Sequence, residues 1–188
     1  MRQLLTQRQK RRIFDTGRVP SAVLFPIYSR QGQYHILFIK RTEQVKEHKG
    51  QISFPGGTQE KEDKTLLDTA LRECHEEIGL RAEDVEILGE LDDEVTTTSN
   101  FIVSTFVAAI PWPYRFKIHK YEVDEIIEIP ISALLDKRCL QADTEILNGK
   151  VVDSYVYHYQ GRAIWGATAR ILNLFLDIYT QAMTDKQK

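Results

Sequence analysis

Glu73, Glu76 and Glu77 stand at relative positions i, i+3 and i+4. On a helix that spacing gathers three carboxylates, and each close like-charged pair costs about 0.2–0.5 kcal/mol when nothing compensates it. A solvated acidic face is the ordinary reading of such a cluster. The chemical reading is a site for a hard divalent cation, since Mg²⁺ takes oxygen ligands, keeps several waters and is shared between carboxylates and a substrate's phosphates. Just ahead, Gly56 and Gly57 form a double-glycine turn that lets backbone approach both metal and substrate.

A helix must hold these groups, and the sequence specifies one. From Thr65 onward Leu67, Ala70, Leu71, Cys74 and Ile78 fall at helical spacing on one face, with Glu73, Glu76 and Glu77 on another. Asp63 or Thr65 can cap its start, and Gly79 sits where a left-handed residue commonly ends a helix. One face is expected to pack and the other to carry charge.

The run Arg72-Glu73-Cys74-His75-Glu76-Glu77-Ile78-Gly79-Leu80, with Gly57 as the opening glycine, resembles the Nudix box. Asp63 follows Gly57 by six residues, but Arg72 follows Asp63 by nine rather than eight, and Asp replaces the commoner Glu. The extra residue is a feature of the coenzyme A pyrophosphatase branch. Cys74 replaces an aliphatic residue and suits the packing face as a small hydrophobe. A second stretch, Leu37 to Thr42 with Lys46, Gly50, Ile52 and Phe54-Pro55-Gly56-Gly57, looks like the signature that precedes the box in that branch. Ile39 stands there for a threonine and Thr42 for a serine.

The resemblance implies a mixed α/β (α+β) fold, the Nudix α/β/α sandwich with a mixed sheet between helices. It implies hydrolysis of a pyrophosphate bond, with Glu73, Glu76 and Glu77 holding Mg²⁺ or Mn²⁺ and Arg72 orienting a catalytic carboxylate. The general base would be a box glutamate or a later-loop carboxylate, Glu122 or Glu125. The implied substrate is coenzyme A or its thioesters, cut to 3′,5′-ADP and a 4′-phosphopantetheine product. The same box would serve another nucleoside diphosphate derivative such as ADP-ribose. A non-catalytic Nudix-fold nucleotide-binding module is the reading from another class, and a repulsive carboxylate cluster argues against it. Substrate phosphates would meet Arg41, Lys46, Gly56 and Gly57, with Lys49 as a further cation. Ordinary surface charge is the plainer account of these cations, and His48, a lone loop histidine, stays outside the catalytic set.

Around this region, 188 residues with 42% hydrophobic content suit a single domain spanning 1–188. A net charge of −2 argues against a general nucleic-acid or membrane-surface binder. The basic Arg8 to Arg12 segment reads as the solvated face of an N-terminal helix. No apolar run reaches membrane-helix length and no signal-peptide pattern opens the chain, so a cytoplasmic location is expected. Cys74 and Cys139 read as reduced thiols. The expected partner is a small coenzyme A-like nucleotide, and a homodimer is compatible with this reading.

Pro20 to Tyr28 and Tyr34 to Lys40 read as a hairpin, with Pro26 marking a strand end or bulge. Arg41 to Ser53 reads as a functional loop. Further strands are expected at Val85 to Leu91, Phe101 to Ile110, Glu125 to Ile129 and Val151 to Tyr159. The Asp92 to Asn100 stretch reads as a polar loop, and a short helix is expected at Ile131 to Leu135. A closing helix is expected over Ile164 to Met183, with Trp165 on its core stripe; stacking of Trp165 on a base is the alternative, and a helix-spaced aromatic is more often core.

Overall fold

The computed structural model describes residues 2–45, 48–97, 99–147 and 150–185. The elements run α1 (Arg2–Gln7), β1 (Val19–Arg30), β2 (Gln33–Arg41), β3 (Ile52–Ser53), β4 (Gly56–Thr58), α2 (Leu66–Ile78), β5 (Glu86–Glu90) and β6 (Glu94–Val95). They continue as β7 (Phe101–Ala109), β8 (Val123–Pro130), α3 (Ile131–Leu134), β9 (Leu140–Leu147), β10 (Lys150–Tyr159), β11 (Arg162–Ile164) and α4 (Gly166–Asp185). No helix among the described residues is long and apolar enough to cross a membrane.

The middle stretches of β1 (Ala22 to Tyr28) and β2 (Ile36 to Ile39) are continuously apolar because both faces of their sheet are covered there. Ala22, Leu24, Leu37 and Ile39 face α2, where Ala70, Cys74 and Ile78 pack on them. Phe25, Ile27, Ile36 and Phe38 face the opposite layer, closed by Ile171, Leu172 and Phe175 of α4. The Phe25 ring lies 4.4 Å from both Phe54 and Phe175, joining the turn before β4 to α4 through one aromatic cluster. The arrangement is the expected sandwich. The main sheet runs β3-β2-β1-β7-β5, with β4 beside β1, β6 beside β7 and β8 beside β2. β1 and β7 run parallel and its other pairs antiparallel. A second sheet, β11-β10-β9, packs beneath α4.

Pro26 neither ends nor bulges its strand. On the side where Leu24 N–H reaches Pro55 O, the β4 ladder has stopped at Val23 and the β2 ladder starts only at Ile27. Backbone N–H groups alternate sides, so the donor that proline lacks would have met no strand there. The Arg41 to Ser53 stretch is not all loop: Arg41 closes β2, and β3 pairs back onto it at Ile39 and Lys40. β6 likewise interrupts the polar Asp92 to Asn100 stretch by pairing with β7. The closing helix begins at Gly166, because Ile164 belongs to β11.

The basic N-terminal segment also departs from expectation. α1 ends at Gln7, and the residues after it are fastened to the acidic loop beyond β5 instead of lying on a solvated helix. Arg8 meets Asp92 at 2.7 Å, and the largely buried Lys10 lies 2.8 Å from both Glu90 and Asp93. Asp93 also accepts the Ser104 hydroxyl at 2.7 Å and Ile13 N–H at 3.0 Å. Burial pushes its carboxyl upward, yet these partners outweigh burial and hold it below the usual range. Asp93→Ala would leave the buried Lys10 ammonium with Glu90 as its remaining carboxylate and strip the Ser104 hydroxyl and Ile13 N–H of their acceptor, at a cost of about 3 kcal/mol. The melting temperature should drop by about 6–12 °C, and a shift under about 2 °C in thermal unfolding would contradict this role.

Candidate functional site

α2 starts and stops as its sequence dictates. Thr65, not Asp63, is the cap: its side chain accepts Asp68 N–H at 3.2 Å while Asp68 accepts Thr65 N–H at 2.8 Å. Gly79 ends the helix at φ 69°, and a Cβ there would press on Lys117. That matters because Lys117 N–H and His119 N–H bond to Ile78 O and Glu77 O, strapping the chain ahead of β8 along the end of α2.

Asp63 is instead the anchor of Arg72. The guanidinium donates to both of its oxygens, at 3.1 and 3.0 Å, in the bidentate geometry that suits Arg and carboxylate. These bonds take the Asp63 carboxyl down to about 2. From that fixed position Arg72 reaches Glu73 at 3.0 Å, Glu76 at 3.2 Å and Thr58 O at 3.0 Å. One cation therefore ties the β4 strand to two of the three box glutamates.

The three glutamates have three different environments. Glu76 is exposed. Glu73 is mostly buried, and burial raises its carboxyl despite the nearby Arg72. Its head group rests on Gly57, where any Cβ would overlap the carboxylate. Glu77 does not share a solvated face with the others. Only 1% exposed, it accepts Gly56 N–H at 2.9 Å and lies 3.3 Å from the Arg41 guanidinium. Burial outweighs both partners and takes its carboxyl up to about 8, with Glu73 and Glu122 adding to the rise.

Glu122 carries a charge that adds to the rise of Glu73 and Glu77, and its carboxylate lies 3.4 Å from His119. Its backbone is fixed from β2: Thr42 N–H bonds to Glu122 O at 2.9 Å and the Thr42 hydroxyl to Tyr121 O at 2.6 Å. Glu125 is turned elsewhere, with Arg162 at 2.9 Å and Lys40 at 3.9 Å. Arg41 faces the glutamates, Lys49 is exposed, and Lys46 lies outside the described residues. Cys74 is fully buried, which raises its thiol and fits an inert packing residue.

A cavity of about 250 Å³ opens on the far side of the double-glycine turn. Arg41, Gly56 and Gly57 line it, so it adjoins the glutamates through the same residues that hold them. His48 and Gln51 line it too, joined by a 2.9 Å bond, which moves His48 from plain surface to the rim of the site. Trp165 is another wall and not the core residue its spacing implied: it precedes α4 and is 43% exposed.

The donor set consists of hard carboxylate oxygens, two of them desolvated and mutually repelling, which fits an Mg²⁺-type cation. Among the described residues no three ligating side chains already stand at metal-binding spacing. A cation that keeps waters and shares its shell with phosphate does not require a closed protein cage.

The NUDIX domain family model matches residues 17–153. The uncharacterized Nudix hydrolase NudL of Photorhabdus laumondii is 31% identical over 163 residues, spanning 87% of this chain and 86% of the relative. Among solved structures, a MutT/nudix family protein from Enterococcus faecalis aligns over 92% of this chain and 66% of its own, with TM-score 0.57 and 15% identity. The NUDIX domain of Shewanella oneidensis NrtR, solved with ADP ribose, aligns over 64% of this chain and 78% of its own, with TM-score 0.51 and 16% identity.

Removing the anchor of Arg72 should be measurable without an assay. Asp63→Asn breaks a charge-assisted pair and should lower the melting temperature by about 3–6 °C near neutral pH, from roughly 1.5 kcal/mol. The folded pKa of about 2 lies below the unfolded value of roughly 3.9. The stabilisation is therefore complete above the unfolded value and lost as pH falls through the folded one. The gap between wild type and variant should narrow from about pH 4 downward, and a gap that widens there would contradict the assignment.

Proposed function

This chain belongs to the Nudix family and is a pyrophosphohydrolase, and we propose that it cleaves the diphosphate of coenzyme A or its thioesters at the Glu73–Glu76–Glu77 cluster. The observation that carries the site is the buried Glu77, held between Gly56 N–H and Arg41 in a carboxylate-rich pocket where it is costly to keep ionised. Burial with like charges nearby calls for a cation, and Glu73, Glu76 and Glu77 are the residues that would hold Mg²⁺ or Mn²⁺. When bound, the ion supplies charge neutralisation at the phosphate oxygens and acidifies a water.

The remaining chemistry belongs to the chain itself. Arg72, fixed by Asp63, holds Glu73 and Glu76 in place and spares them the cost of reorienting during reaction. Glu122 is the better of the two later-loop candidates for accepting the proton of the attacking water, since it shares the field of Glu73 and Glu77 while Glu125 is paired with Arg162. Water then adds to phosphorus as the bridging P–O bond breaks, leaving one half of the former diphosphate as a phosphomonoester on each product. Arg41 lies between Glu77 and the cavity, where its guanidinium can meet substrate phosphate.

Coenzyme A is favoured by the Arg41 to Phe54 signature and by the extra residue ahead of Arg72. Thr42 retains the hydroxyl of the serine it replaces and spends it on Tyr121 O, behind the Glu122 backbone. kcat/KM for coenzyme A should exceed that for 3′-dephospho-coenzyme A and ADP-ribose by at least about tenfold, equivalent to about 1.4 kcal/mol. A preference for ADP-ribose in side-by-side initial rates would leave the hydrolase standing and remove the coenzyme A reading.

Turnover should vanish on exhaustive chelation and return with Mg²⁺ or Mn²⁺, and full activity in chelator would refute the metal site. Glu77→Gln and Glu76→Gln should each lower kcat by at least about a hundredfold with the fold intact by circular dichroism. Near-normal rates in both would place the chemistry elsewhere.

A further inference from the structure

We propose that Trp165 and the cavity it walls form the subsite for the nucleobase of the substrate, the indole acting as a specificity-determining surface on which the base stacks. The proposal rests on the diphosphate-hydrolase reading above.

The chain has two tryptophans, and the fold treats them oppositely. Trp112 stacks on Tyr28 with centroids 4.4 Å apart and carries the Arg30 guanidinium 5.5 Å from its ring. Trp165 has no ring or cation partner among those found for the described residues, and it lines the cavity while 43% exposed. Phe54 and Phe101 contribute further aromatic wall to the same space. A flat indole open to a concavity is a stacking surface that accepts any base, because every base presents a π-face.

Size and charge narrow the occupant. At about 250 Å³ the cavity falls below the roughly 300–1,000 Å³ of pockets for drug-sized ligands. It takes one ring-bearing end of a dinucleotide-like substrate and not the whole molecule. Among the described residues no carboxylate lines it, and Arg41 is its one lysine or arginine, at the end shared with Gly56 and Gly57. A neutral ring against Trp165 would thus lead its phosphates toward Arg41 and the glutamates. Gln51, Ser53 and Thr96 supply polar groups for the edge of the base. A pantetheine arm is the competing occupant, but it has no ring to use the indole.

Intrinsic fluorescence tests binding without turnover. ADP titrated into the metal-free wild-type protein should quench emission saturably, and Trp165→Phe, which leaves Trp112 as the sole indole, should lose that quench. Ribose 5-phosphate should have little effect. In steady-state kinetics with the faster of coenzyme A and ADP-ribose, Trp165→Ala should lower kcat/KM about tenfold, chiefly through KM, and Trp165→Phe should restore most of it. Equal quenching by ribose 5-phosphate, quenching by 4′-phosphopantetheine in place of ADP, or an unchanged KM in Trp165→Ala would each overturn the proposal. If the wild type cleaves no diphosphate, the proposed function fails while the ADP quench still reports on the Trp165 subsite.

Discussion

A carboxylate taken out of water must be compensated, and the burial of Glu77 is the constraint on which the site depends. Its partners come from two other elements, Gly56 N–H at the start of β4 and the Arg41 guanidinium at the end of β2. To meet both, α2 must lie across the face of the sheet with its last turn against the double-glycine strand. That closeness in turn forbids a side chain at Gly57, where Glu73 lies. It also leaves Glu77 more protonatable than an ordinary glutamate, because its two partners do not fully offset desolvation. Arg72 performs the complementary task on the solvent side. Anchored to Asp63, it spreads one positive charge over Glu73 and Glu76 and fixes both to Thr58.

Much of this was legible in the sequence. α2 was readable to within a residue because its signals are local: apolar spacing, a threonine cap and a glycine stop all act within the segment that carries them. The double-glycine turn and the box carboxylates were readable for the same reason, since motif spacing is a property of one stretch. Which glutamate would be buried was not readable. Glu73, Glu76 and Glu77 are chemically alike, and only the approach of β2 and β4 separates them. The different settings of Glu122 and Glu125 were equally hidden, since the partner of Glu125 is Arg162, on a strand nearly forty residues away.

The misreadings have a common physical form. Pro26 obeys the rule that proline cannot donate, but the gap between the β2 and β4 ladders belongs to the tertiary pairing. Trp165 fits a helical stripe with Thr168 and Leu172, yet the backbone turns at Gly166 and the stripe begins after it.

The parallel pairing of β1 with β7 carries a consequence for how the molecule is made. Val19 meets Phe101 and Ile27 meets Ala109, partners about 80 residues apart, with the glutamate-bearing α2 threaded between them. On a ribosome the β1–β2 hairpin can close as soon as it emerges, whereas the other edge of β1 has no strand to pair with until β7 has been synthesised. For that interval a largely apolar strand of the sheet offers an open edge to any passing chain, the condition under which intermolecular strand pairing begins. Slow translation between Arg30 and Phe101 would lengthen this exposure, so the yield of native enzyme is tied to the pace at which the segment carrying its glutamate cluster is made.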